Sequence, residues 1–205
     1  MLFRSLDPGN TNTMLRISSL EATLGHFEKA LEYDRRALRL DPVNPSRFNS
    51  MASHLVAIDS VEKGIQFYRR GEELDKLRPV TCTFMGIAYI RLGKFDEAEV
   101  LIGKETIPSW QLYGKALLEY AKGNPKESAK MLKELKDLRG AIMAFQIAGV
   151  HAFRHEADSA FHWLNTGIQT NDVGMTLLKT DRMFDILKGD PRWNDILAKM
   201  KFQKE

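Results

Sequence analysis

The sequence repeats a pattern of small and turn-forming residues along most of its length. The clearest copies run from Leu24 to Pro42 and from Leu92 to Glu99, and both contain the order Gly-x-aromatic-x-x-Ala. Small residues recur at intervals of 34, 34, 30 and 32 residues, at Ala30, Gly64, Ala98, Ser128 and Ala160. Turn residues recur in the same register, at Gly25, Asp59, Gly93, Gly123 and His155. Repetition at this period is typical of a repeat architecture.

Close packing of antiparallel helices explains the pattern. Two helices joined by a short turn approach closely only where their side chains are small, and the turn between them often needs a positive φ. Each helix pair then exposes an apolar face that only the next pair covers, so the pairs stack into a solenoid. The sequence therefore predicts an all-α solenoid of helix hairpins without a sheet. Bulky residues are expected between the hairpins, at Phe27, Tyr33, Leu38, Phe67, Tyr68, Tyr89, Phe95, Leu101 and Leu132.

The pattern resembles the tetratricopeptide repeat family over about residues 11–172. The resemblance implies a right-handed superhelical solenoid of five units, 11–44, 45–78, 79–108, 109–140 and 141–172. The first and third units match the family best, the second keeps the register with Asp59 and Val61, and the last two are degenerate. The signature residues of the repeats are Gly25, Phe27, Ala30, Ala37, Pro42, Gly64, Gly71, Gly93, Phe95, Ala98, Gly123 and Ala160.

The two ends of the chain need separate interpretations. Leu6-Asp7-Pro8 precedes Leu40-Asp41-Pro42 by 34 residues, so residues 1–10 are expected to be the remnant of an upstream repeat. Residues 173–205 are expected to form capping helices, because apolar residues recur there at helical spacing and Asp190-Pro191 is a helix-start signal. The segment is similar to those that close bacterial tetratricopeptide arrays. A solenoid needs such a cap to cover its last repeat.

Composition excludes several classes of function. The chain has 30 Lys and Arg against 27 Asp and Glu, a net charge of +3, with the two signs interspersed. This balance argues against a dedicated binder of nucleic acid or of anionic membranes. The single cysteine, Cys82, cannot form an internal disulfide. The absence of a signal peptide or spanning segment in the sequence favours the cytoplasm, and no cofactor is expected.

The best enzyme-like signal is a histidine pair. His151 and His155 lie one helical turn apart, and Glu156 follows them. Imidazoles at this spacing can share a metal, but a site needs a third ligand, and none stands at a suitable spacing. The sequence also has no phosphate-binding loop, dinucleotide-binding glycine pattern or nucleophile elbow. No catalytic residue is therefore assigned, and the chain is predicted not to be an enzyme.

The remaining functional surface is the concave groove that first helices line in this family. The family register places these groove residues there: Asn12, Leu15, Ser19, Asn49, Ser53, Val56, Thr83, Ile87, Ile90, Arg91, Tyr113, Leu117, Tyr120 and Phe145. Tyr113 and Tyr120 are expected to anchor an apolar segment of the partner, and Arg91 is expected to bind an acidic group of that segment. In the alternative, the C-terminal helices fold back and bury the aliphatic and aromatic stripe that the third to fifth units contribute to the groove. The carboxylate clamp of chaperone-binding repeats is excluded, because its lysine slot holds Leu15, Asn49, Thr83, Tyr113 and Phe145.

Three functions follow from these patterns. The leading hypothesis is a non-catalytic scaffold that binds a protein or peptide in the groove. The second is the C-terminal regulatory or sensor portion of a larger bacterial signalling protein, such as a cyclase, kinase or transcription regulator. The third is a metal-dependent hydrolase centred on His151 and His155. A repeat solenoid indicates a binding mode without naming the partner, and it leaves the oligomeric state open.

Overall fold

The computed structural model describes residues 9–76 and 79–201. Within these residues the chain forms eleven α-helices and two 3-10 helices, and no strand. The predicted remnant Leu6-Asp7-Pro8, the end of the second predicted unit at Leu77 and Arg78, and residues 202–205 lie outside the described residues. The α-helices are α1 (Thr11–Thr23), α2 (Phe27–Leu40), α3 (Pro45–Ala57), α4 (Val61–Leu74), α5 (Thr81–Arg91), α6 (Phe95–Gly103), α7 (Pro108–Ala121), α8 (Pro125–Arg139), α9 (Ala144–Phe153), α10 (Ala157–Gln169) and α11 (Pro191–Lys199). The 3-10 helices are Val173–Leu177 and Arg182–Leu187.

Local sequence signals start several of these helices. The side chains of Asn10, Asn44 and Asp190 cap the first turns of α1, α3 and α11 by accepting backbone N–H groups. These N–H groups have no partner inside the helix, so the caps stabilise its start. Proline is the first residue of α3, α7, α8 and α11, where its fixed φ suits the helix and its missing N–H costs nothing.

The first ten α-helices form five antiparallel pairs, α1 with α2 through α9 with α10. Each pair turns at one residue with a positive φ: Gly25 (81°), Asp59 (69°), Gly93 (69°), Gly123 (83°) and His155 (61°). Three of the five are glycine, which adopts this conformation without steric cost. The periodic turn signal of the sequence therefore marks the left-handed residue of each hairpin.

Small residues lie where the paired helices touch. Ala30, Ala98 and Ala160 are fully buried. A Cβ on Gly64 would lie 2.5 Å from Val56 Cγ2 and 3.0 Å from the Ala52 carbonyl oxygen, so only glycine fits there without a shift. Larger side chains at these contacts would overpack the helix pairs.

The helix pairs stack through shared apolar layers. The largest cluster of buried residues runs from Ala52 to Val150, and a second one joins the last pair to the C-terminal segment, from Phe145 to Leu197. In contrast, a cluster of only three buried residues, Leu31, Met51 and Leu55, links the first pair to the second.

The C-terminal segment caps the last pair. Trp193 and Leu197 of α11 are buried in the second cluster, together with Phe184 and Leu187 of the second 3-10 helix. Arg192 also crosses to α10, because its guanidinium pairs with Asp158 at 2.7 Å and lies 4.3 Å from the centre of the Phe161 ring. The last helix pair is therefore not left with an uncovered apolar face.

Candidate partner-binding groove

Successive first helices lie on the inside of the stack. The first helices α5 and α7 contact each other directly, as do α7 and α9, α1 and α3, and α3 and α5. Successive second helices do not make contacts of this extent. A stack in which one row of helices is closer together curves toward that row, so α1, α3, α5, α7 and α9 line the concave side. We call this surface the groove.

One part of the groove is open to solvent. Three rows of residues in repeat register run across α1, α3 and α5, and we call them the open face. The rows are Arg16, Ser50 and Phe84; Ser19, Ser53 and Ile87; and Thr23, Ala57 and Arg91. Ser19, Ser53 and Phe84 are exposed, whereas Ser50 and Ile87 are half-buried. The open face is thus polar on α1 and α3 and becomes apolar on α5.

Hydrogen bonds orient the polar side chains of α3. Asn49 Nδ2 donates to Thr81 Oγ1 of α5 at 3.0 Å, so this amide ties two first helices together. The Ser53 hydroxyl lies 2.8 Å from Tyr68 Oη. Burial of Tyr68 raises its pKa to about 12, and the hydrogen bond with Ser53 partly opposes this rise. Both polar groups are held in place before any partner binds.

Aromatic residues form the apolar end of the open face. The Phe84 ring lies 5.4 Å from the Trp110 ring, and the Trp110 ring lies 5.9 Å from the Tyr113 ring in an edge-on arrangement. Phe84 is 40% exposed, Trp110 is half-buried and Tyr113 is buried. Sequence reasoning missed Phe84 and Trp110. Phe84 could have been found, since it precedes Ile87 and Arg91 by three and seven residues and shares their helix face.

The rest of the groove is covered by residues 173–187, which we call the C-terminal cover. Met183 Sδ lies 3.7 Å from Tyr113 Oη, and it would lie 3.0 Å from a Cβ placed on Gly149. The Phe184 ring lies 5.0 Å from the Phe145 ring. The backbone of Gly174 also packs on Phe145, because a Cβ there would meet that ring at 2.7 Å. The alternative in which the C-terminal helices fold back over the stripe thus describes this structure.

Ion pairs link the C-terminal cover to the second helix pair. Asp59 accepts from Arg91 at 2.6 Å, and its other oxygen pairs with Arg182 of the cover at 3.0 Å. Burial raises the pKa of the nearby Asp181 carboxyl, while its hydrogen bond from the Met183 N–H and the charge of Arg91 oppose that rise. Asp59 and Arg182 are exposed, so their pair contributes little to stability, on the order of 0–1 kcal/mol.

The structure separates the predicted groove residues into two sets. Asn49, Ser53, Ile87 and Arg91 lie on or beside the open face, although Arg91 is held by Asp59. Tyr120 is half-buried between the fourth and fifth pairs, where its hydroxyl donates to the Arg154 carbonyl and its ring meets Phe153. The residues that are buried are Thr83, Ile90, Tyr113, Leu117 and Phe145. A partner cannot contact this second set while the C-terminal cover is docked.

The histidine pair lies in two different environments. His151 is buried, and its Nδ1 lies 2.5 Å from Glu156 Oε2. Burial lowers the pKa of His151, and the hydrogen bond with Glu156 opposes this shift. His155 occupies the exposed turn. In the described part of the chain, no group of three or more His, Cys, Asp or Glu side chains is arranged to hold a metal ion.

Comparison with known proteins places this geometry in a family. The tetratricopeptide repeat (TPR) family matches residues 11–44, the first helix pair with its connection to the second. The chain is also similar to TTC0263, a thermophilic TPR protein of Thermus thermophilus, at 15% identity and a TM-score of 0.64, with 87% of this chain and 99% of that chain covered. The first helix pair is a TPR unit, and the chain as a whole has the TPR fold. No curated protein matches it in sequence.

Other solved TPR structures share the fold. The structure of MamA is 20% identical, with a TM-score of 0.55, and the match covers 65% of this chain and 81% of that chain. YrrB, described as a TPR protein with an unusual peptide-binding site, is 12% identical with a TM-score of 0.53 over 85% of this chain and 93% of its own. Among the described residues of this chain, no helix combines the length and apolar character that crossing a membrane requires.

Proposed function

We propose that this protein is a non-catalytic scaffold that binds a segment of another protein on the open face of its groove. The TPR fold is consistent with a protein-binding scaffold, and YrrB, which has the same fold, has a peptide-binding site. The partner is a protein or peptide. Proteins with TPR repeats are generally scaffolds rather than enzymes, and we extend this to the present chain. Its cytoplasmic location stays a prediction.

The observation that carries the proposal is the aromatic end of the open face. Phe84 is 40% exposed although its ring packs against Trp110, so the pair presents apolar surface at a concave position. Exposed aromatic side chains beside pre-ordered polar groups are typical of binding hot spots. The exposed Ser19 of α1 and Ser53 of α3 then offer hydrogen bonds along the same surface.

The shape of the open face indicates the kind of segment that fits. The C-terminal cover closes the groove over α7 and α9, so a ligand lies across α1, α3 and α5 rather than along the whole solenoid. Such a ligand would place one apolar side chain against Phe84 and Trp110. Its polar backbone or side chains would face Ser19 and Ser53.

The proposal is tested by capturing partners from a lysate of the source organism and measuring their affinity for variants. Phe84→Ser removes the exposed ring, and we expect it to weaken binding about tenfold or more, since aromatic hot spots commonly contribute 1–2 kcal/mol or above. The matched control is Val100→Ser, because Val100 is 60% exposed on the second helix α6, away from the groove.

The melting temperature of each variant separates binding from folding. Phe84→Ser should melt close to the unaltered protein, because much of the ring is already in water. The proposal is wrong if Phe84→Ser binds every captured partner as tightly as the Val100→Ser control does. It is equally wrong if Val100→Ser alone abolishes capture.

A further inference from the structure

The first helix pair differs from the others at one buried position. The residue four positions after the small residue of each second helix is Tyr68, Ile102, Leu132 and Leu164 in the second to fifth pairs, and all four are buried. In the first pair this residue is Asp34, which is 0% exposed. A carboxylate therefore occupies a slot that the rest of the solenoid fills with an apolar side chain.

Side chains from two neighbouring helices satisfy Asp34 of α2. Its Oδ1 accepts from Ser18 Oγ of α1 at 2.6 Å and from Ser50 Oγ of α3 at 2.9 Å. Its Oδ2 lies 2.7 Å from His54 Nδ1, also on α3. We call Ser18, Asp34, Ser50 and His54 the polar joint, because these four residues connect the first helix pair to the second.

The other contacts across this boundary include a second polar group. The guanidinium of Arg47, buried on α3, donates to Thr11 Oγ1 and Asn12 Oδ1 of α1, each at 2.8 Å. The apolar contribution is the cluster of Leu31, Met51 and Leu55, with the partly buried Leu38 and Phe67 packed against it. By comparison, the boundaries among the second, third and fourth pairs share one large apolar cluster.

A polar boundary opens at a lower cost than an apolar one of the same size. The desolvation of buried charged groups offsets much of their attraction, and water satisfies them again when they separate. In a solenoid, each pair is held only by its own stability and its contacts with neighbours. A helix pair joined through such a polar boundary can therefore separate from its neighbour without unfolding the rest of the solenoid.

From these contacts we propose that the polar joint is a hinge: α1 and α2 undock from α3 and redock as one unit while the rest of the solenoid stays folded. The polar joint shares Ser50 with the open face, and α1 carries one edge of that face, so the hinge adjoins the proposed binding surface. Undocking would widen the groove at that edge, so a ligand that touches both α1 and α3 would hold the hinge closed.

Hydrogen exchange of the full chain, followed by mass spectrometry, tests the hinge. We expect the amides of α1 and α2 to exchange together, at least about tenfold faster than those of α5 to α8. The hinge is ruled out if the two regions exchange at the same rate. Uncorrelated exchange of α1 and α2 would also rule it out.

Two variants distinguish the hinge from ordinary local unfolding of α1 and α2. The first variant combines Ser18→Ala, Asp34→Leu, Ser50→Ala and His54→Leu. Other pairs already have alanine or leucine at three of these positions, since Ala52 corresponds to Ser18, Leu132 to Asp34 and Leu118 to His54. This apolar joint should slow exchange of α1 and α2 about tenfold or more and leave α7 to α10 unchanged. Ser50→Ala alone removes one donor from a buried carboxylate, so it should speed exchange of α1 and α2 by about tenfold. If either change leaves these amides unaffected, the polar joint does not control the opening.

Discussion

Replacing Phe184 by alanine would remove the side chain that fixes the C-terminal cover to the last helix pair. Phe184 is 0% exposed, and its ring lies 5.0 Å from that of Phe145 on α9. It also lies against the backbone of α9, since a Cβ on Gly149 would come within 3.7 Å of its Cζ. Because the neighbours belong to a helix and a packed cluster, they can collapse only partly into the space that the ring leaves.

The expected cost is that of a buried phenylalanine. Truncation of Phe to Ala in a core typically destabilises by about 3–5 kcal/mol, through lost transfer energy and the cavity left behind. Urea denaturation followed by circular dichroism would measure the free energy of unfolding. The matched control is Ile186→Ala in the same 3-10 helix, which is 49% exposed and should cost less than about 1 kcal/mol. Equal losses for the two variants would refute the docking of the cover.

Two further predictions test the helix crossings and the buried tyrosines. Ala98→Leu should destabilise the protein by about 1–3 kcal/mol, because Ala98 is fully buried where α5 and α6 cross. The control Val100→Leu, on the exposed side of α6, should leave the stability unchanged. Equal melting midpoints for the two variants would contradict this. Burial raises the pKa of Tyr113, as it does that of Tyr68, so the folded protein keeps phenol protons that the unfolded chain loses near pH 10. The free energy of unfolding should therefore fall as the pH rises above about 10, and Tyr113→Phe should make the fall smaller; a flat alkaline profile would speak against burial of these phenols.

The helix pairs could be predicted from the sequence because their determinants are local and periodic. The residues Gly25, Gly93 and Gly123 recur at the turns since each hairpin needs one positive φ. Ala30 and Ala98 recur at the crossings since only small side chains fit there. Even Asp59, which departs from the glycine pattern, keeps the register and the conformation.

The covered part of the groove could not be predicted from the same signals. Repeat register places Tyr113 and Phe145 on the concave side, and that register does not reveal that Met183 and Phe184 lie over them. The cover docks through tertiary contacts between residues as far apart along the chain as Asp59 and Arg182. A local signal existed in Gly149, whose missing side chain makes room for Met183.

The polar joint also could not be predicted from the repeat pattern of the sequence. Asp34 is neither a small residue nor a turn residue, so the periodic signals that mark the helix pairs do not single out its position, which Tyr68 and Leu132 occupy in other pairs. A buried carboxylate looks like any surface acid in a helix until the neighbouring helices are placed. The partners Ser50 and His54 come from the next pair, so only the stacking of pairs brings them together.

Site-specific photocross-linking tests the central claim most directly. A photoreactive phenylalanine analogue in place of Phe84 would lie at the aromatic end of the open face, and the same analogue in place of Val100 would lie on α6, away from the groove. After irradiation in a lysate of the source organism, we expect a discrete cross-linked protein at position 84 and none at position 100. Cross-linking of the same protein at both positions, or only at position 100, would contradict binding on the open face.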